Sequence, residues 1–152
     1  MTDPRSRLDS LATDDGLLEA LGHAVRTAPP EPRSWTVEMP AGMELLNAND
    51  RGHWRRRQRL TYELRTAACW LARQQRIPQL ERAHILGVYQ PPDKRKRDPA
   101  NYYPSFKACV DGICVDAGVL ADDDAKHLDG PDMRLGEPYP RGRIVLHITE
   151  AP

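Results

Sequence analysis

Two apolar periodicities alternate along this chain, and their order restricts the fold more than any other feature. Trp35, Val37 and Met39 alternate with polar Thr36 and Glu38, the period of two that marks a half-buried strand, and Pro40 stops it. After the polar turn Asn47-Ala48-Asn49-Asp50 the spacing changes. Leu60, Leu64, Ala67, Ala68 and Leu71 recur at three and four, which predicts a helix from about Gly52 to Arg76, ending before Pro78. Ile85, Leu86, Val88 and Tyr89 then predict a second strand within Arg82 to Gln90, bounded by Pro91-Pro92. Phe106, Val110, Ile113 and Ala117 stand four, three and four apart, predicting a helix from about Pro104 to Ala117 closed by Gly118. Lys126 to Arg134 carries a weak strand pattern and Arg143 to Thr149 a clear one. The order β-α-β-α-β-β predicts an α/β domain of the α+β kind, a small mixed sheet with two packed helices.

Residues 1 to 33 stand apart from this domain of residues 34 to 152. Leu8, Leu11, Leu17, Leu18, Leu21 and Val25 fall near helical spacing, and Thr27-Ala28-Pro29-Pro30-Glu31-Pro32 resists helix and strand alike. The expectation is an N-terminal extension, a short amphipathic helix on a stiff tether. A partly disordered tail is the alternative.

At 152 residues the chain suits one domain with a real core. No stretch approaches the roughly 18 apolar residues of a membrane span, and Met1 to Asp15 is too acidic and polar for a signal peptide. Cys69, Cys109 and Cys114 form no CxxC pair and leave one unpaired, which points to a reducing, cytoplasmic setting. Basic and acidic residues balance at 22 each, yet they are segregated. Arg51 to Arg76 holds eight arginines against Glu63, a net of +7; Asp111 to Glu137 holds eight acids against Lys126 and Arg134, a net of −6. A cationic surface beside an anionic pocket is what a metal-dependent enzyme acting on a phosphate backbone requires.

The residues that fit that chemistry cluster in the second half of the domain. Lys94, Arg95, Lys96 and Arg97 run into Asp98 and Asn101, where phosphate contacts would add affinity without sequence preference. Lys107 follows, a point charge for the scissile phosphate or the leaving oxygen, with Asp111 one helical turn away. Asp122-Asp123-Asp124 then offers hard oxygen ligands, of which at most two can face one ion because neighbours in an extended loop point apart. Asp123 is the first choice and Asp122 the second. Arg55, Arg56 and Arg57 add cationic charge, though Arg51, Arg55, Arg56, Arg57 and Arg59 wrap too much of a helix to meet one groove together. Tyr102 and Tyr103 have two readings, stacking on bases or packing in the core. The histidines show no zinc spacing, and no phosphate loop or nucleophile elbow occurs.

At these residues the chain resembles the RusA family of Holliday junction resolvases, small endodeoxyribonucleases often carried by phages. The likeness covers roughly Trp35 to Thr149 and rests on the basic run into Asp98, Asn101, Lys107, Asp111 to Ile113, Ala117-Gly118 and Asp122-Asp123, with the Asn47 to Trp54 segment resembling the early loop of phage-type members. It implies a homodimer that binds four-way DNA junctions and nicks two strands using Mg²⁺, with Mn²⁺ a substitute, in a bacterial or phage-infected cell. Carried over by position, Asp98 matches the first aspartate of the motif, Asp123 the second residue of the later pair, and Lys107 the lysine; Asp98, Asp123 and Asp122 are the implied metal ligands. One departure stands out. The family pattern Asp-x-Asp-Asn reads Asp98-Pro99-Ala100-Asn101 here, so a carboxylate is absent at Ala100. Its loss is expected to weaken metal affinity, shift the metal preference, or end cleavage while leaving DNA binding, unless Asp122, Asp124 or Asp111 substitutes.

Overall fold

The computed structural model describes residues 28–152. The helix expected among Leu8 to Val25 lies outside them. Four strands form one sheet, β1 (Ser34–Glu38), β2 (Ala83–Gln90), β3 (Leu128–Leu135) and β4 (Arg143–Glu150), in the spatial order β1-β4-β2-β3. β4 runs antiparallel to both β1 and β2, pairing Val37 with Leu146 and Ile85 with Ile148, whereas β2 and β3 are parallel. Two helices, α1 (Trp54–Gln74) and α2 (Tyr103–Asp111), complete the β-α-β-α-β-β order. The sheet is mixed and the fold is α+β.

The period of two decides what lies on the core face. In β2, Ala83, Ile85, Gly87 and Tyr89 are buried and alternate with half-buried His84, Leu86, Val88 and Gln90. Ile144, Leu146 and Ile148 of β4 and Val37 of β1 join them, and Leu60, Leu64 and Ala68 of α1 with Phe106 and Val110 of α2 close one continuous core. Gly87 is required here because a Cβ would run into the Phe106 ring. A parallel pair needs a crossover, and α2 supplies the one between β2 and β3.

Three features differ from the expected form. The second helix does not run unbroken to Ala117; it is α-helical to Asp111, widens into a π turn over Gly112–Asp116, and ends at Gly118, whose φ is +73°. Gly112 lies so close to α1 that a Cβ would strike the Arg65 carbonyl oxygen, so the helices touch through backbone. A 3₁₀ turn over Pro99–Tyr102, capped by Asp98, also precedes α2 where the apolar spacing gave no signal. β3 is an edge strand that begins at Leu128 rather than Lys126; only Leu128 is buried, which explains its weak pattern and its tolerance of Pro131.

Candidate active site

Lys107 projects from the second turn of α2 and is held between two carboxylates. Its Nζ donates to Asp111 Oδ1 at 2.6 Å, one turn further along the same helix, and to Asp123 Oδ2. Arg65 of α1 flanks the pair: Nε and Nη2 grip both Asp116 oxygens at 2.6 and 2.8 Å, while Nη1 lies 3.7 Å from Asp111 Oδ2. The backbone contact at Gly112 makes this crossing possible, since it brings the α1 face bearing Arg65 against the residues on either side of that glycine.

Asp123 reaches Lys107 because the loop before it is anchored. Val119 and Leu120 are buried, and their N–H groups donate to the carbonyls of Ile113 and Cys114 while Leu80 N–H donates to the Val119 carbonyl. The three aspartates then divide. Asp122 is exposed and accepts from the Asp123 N–H at 2.8 Å. Asp124 accepts from the N–H groups of Lys126 and His127 and lies 2.7 Å from His127 Nδ1, closing the turn into β3. Asp123 alone of the triplet meets Lys107.

Burial acts to lower the Lys107 pKa, but its hydrogen bonds to Asp111 and Asp123 outweigh it and raise the pKa above the ordinary lysine value. The same bond from Lys107 is the main reason the Asp123 carboxyl is held below its usual range. Both groups are therefore charged near neutrality. Lys107 is a charged donor rather than a base, with two of its three N–H groups committed to Asp111 and Asp123 and one left to give. Cys114 has its thiol pushed up to about 12 by burial and by the charges of Asp123 and Asp111, so it is not a nucleophile.

Asp98 occupies a different setting. It is exposed, and its Oδ1 accepts from the Ala100 N–H at 3.0 Å as the cap of the 3₁₀ turn. Asn101 ties that turn to the Asn47-to-Asp50 loop: its carbonyl accepts from Ala48 N–H at 2.7 Å and its Oδ1 from Asn49 Nδ2 at 3.3 Å. Ser105, fully buried, bonds both the N–H and the carbonyl of Leu46 and fixes the same loop against α2. Among the described residues, no three or more His, Cys, Asp or Glu side chains are grouped to hold a metal ion, so Asp98, Asp122 and Asp123 do not form a ready triad.

The basic residues separate into committed and free. Arg97 Nη1 bonds Asp93 Oδ1 at 2.6 Å together with the carbonyls of Asp93 and Arg95, and this holds the Asp93 carboxyl down at about 2. Arg56 is bound by Glu44 and Asp50. Arg95 is exposed but lies 3.7 Å from Asp93 Oδ2, whereas Lys94, Lys96, Arg55 and Arg57 are exposed and have no acidic partner within ion-pair distance among the described residues. Tyr102 packs on Tyr89 at 4.3 Å between ring centroids, while Tyr103 is exposed. Arg65 and Asp116 were not singled out from the sequence; the one available signal is that Arg65 adjoins the apolar stripe at Leu64 and Ala68, where a side chain borders the packed face.

The sequence matches no family model, and no curated protein matches it.

Proposed function

We propose that this chain is a divalent-metal-dependent, structure-selective endodeoxyribonuclease of the RusA type, acting on four-way DNA junctions. The observation that carries the reading is the Lys107 ammonium held between the carboxylates of Asp111 and Asp123. The donor set is of hard oxygen, since the Asp111 and Asp123 carboxylates are brought together at Lys107 Nζ, and Mg²⁺ is commonly held by one or two carboxylates with water and phosphate completing its shell. Asp123 and Asp111 would hold Mg²⁺ or Mn²⁺, Asp111 serving in place of the carboxylate absent at Ala100; Asp98 and Asp122 enter through the resemblance. The ion's chemistry is to polarise the scissile phosphate and to generate a nucleophile from water.

The protein's own groups do the rest. Lys107 places a fixed positive charge against the phosphate, stabilising negative charge as the bond breaks. Arg65 holds Asp111 and Asp116, and so keeps the carboxylate beside Lys107 in position. Lys94, Arg95 and Lys96 grip the backbone on the flank. A homodimer would present two such sites to opposed strands.

A second reading is favoured by Ala100 together with the lack of a three-ligand group among the described residues: a protein that binds junctions without cutting them. One experiment separates the two. A labelled four-way junction and a linear duplex are each incubated with Mg²⁺, Mn²⁺ or chelator. Nicking of the junction that needs the ion supports the enzyme; salt-sensitive binding without product, with nicking gained in Ala100→Asp, supports the binder.

A further inference from the structure

The start of α1 carries an aromatic and cationic cluster that neither the core nor the active site uses. Trp54 is 57% exposed although tryptophan is among the costliest side chains to leave in water. The His53 ring stacks beside it at 5.7 Å between centroids and an interplanar angle of 28°, and the Arg55 guanidinium lies 5.4 Å from its ring. His53 is itself fixed, because its Nδ1 accepts from the Arg55 N–H at 3.2 Å. The ring is thus held rather than left to rotate freely.

The surrounding charge points to the occupant. Arg51, Arg55 and Arg57 are exposed and have no acidic partner among the described residues. Their charge does not serve the helix either, since the first turn contains arginines and no acid, the reverse of what a helix dipole favours. An exposed indole with the Arg55 guanidinium beside it and further exposed arginines at positions 51 and 57 in the same segment matches a base attached to a phosphate backbone, and base stacking on an aromatic is tolerant of base identity. The cluster also follows the Asn47-to-Asp50 loop, which Asn101 and Ser105 fasten beside Asp98 and the start of α2.

We infer that Trp54, steadied by His53 and Arg55, is a stacking platform for an unpaired or splayed base at the branch point of the DNA. This deepens the proposed function and rests on it. It gives selectivity for branched over fully paired DNA a physical origin, because a continuous duplex has no free base face to offer.

Affinity is measured in chelator, so that no cleavage intervenes, for a four-way junction, a linear duplex, and a junction with abasic sites at the branch. Trp54→Ala is expected to weaken junction binding by roughly 5- to 100-fold and to leave linear duplex within about twofold. Trp54→Phe should restore most of the loss, and Tyr62→Ala, which removes an aromatic 71% exposed elsewhere on α1, should change neither. The abasic junction should bind wild type as weakly as the intact junction binds Trp54→Ala, with no further loss when the two changes are combined. Equal losses on duplex and junction in Trp54→Ala, or additive losses in the combination, overturn the platform. Wild type that binds the junction but never nicks it defeats the proposed catalysis and leaves the platform standing; wild type that binds no DNA defeats both.

Discussion

Two charged regions of this domain are built on opposite principles. At the crossing of α1 and α2, Lys107, Asp111, Asp123, Arg65 and Asp116 satisfy one another in a half-buried cluster anchored by helix backbone. In the loop after β2 and at the start of α1, Lys94, Lys96, Arg55 and Arg57 stand exposed and unpaired among the described residues. Pinned charges hold geometry, and free charges wait for a partner. The difference teaches where to look for chemistry and where for affinity.

The contrast can be broken most sharply at Lys107. Lys107→Met should lower junction nicking about 10²- to 10³-fold, the usual cost of losing one donor to developing charge, while junction binding changes little. Equal losses in binding and nicking would move Lys107 into the gripping surface. A stability effect comes next. Gly112→Ala places a methyl against the Arg65 carbonyl and should destabilise the fold by about 1–3 kcal/mol, read from thermal unfolding.

The free charges sharpen the other half of the comparison. Lys94→Ala with Lys96→Ala should reduce the slope of log affinity against log salt by roughly 2, one phosphate contact each. Arg97→Ala should leave that slope nearly unchanged, since its guanidinium is spent on Asp93 and neighbouring carbonyls. The smallest effect concerns pH. Asp93, Asp116, Asp123 and Asp124 are all held below the ordinary carboxylate range by cationic or hydrogen-bonding partners. Depressed folded values mean stability that is present above the unfolded pKa of about 4 and lost as pH falls through the folded values. Melting temperature should therefore be nearly flat from about pH 8 to 5 and decline below about pH 4.

Legibility in the sequence followed burial. β1, β2 and β4 place apolar residues at alternate positions and so announce themselves, whereas β3 is interrupted by Gly130-Pro131, where its register against β2 shifts, and gives almost no pattern. The π turn after Asp111 was hidden because a widened turn keeps apolar residues near helical spacing while changing which way they face. At the candidate site, Lys107 and Asp111 could be paired from spacing alone, one turn apart. The bond from Arg65 to Asp116 could not, since 51 residues separate them and only the α1–α2 crossing brings them together. Likewise the order Asp122-Asp123-Asp124 does not tell which carboxylate turns toward Lys107. The buried anchors Val119 and Leu120 and the turn closed by Asp124 decide it.

The central claim is that the carboxylate facing Lys107 is chemical rather than structural. Its most direct test is a side-by-side assay of wild type and Asp123→Asn on one labelled junction, with Mg²⁺ for nicking and chelator for binding. The account predicts nicking by wild type, none detectable by Asp123→Asn, and matching affinities. Asp123→Asn that nicks as fast as wild type would contradict it.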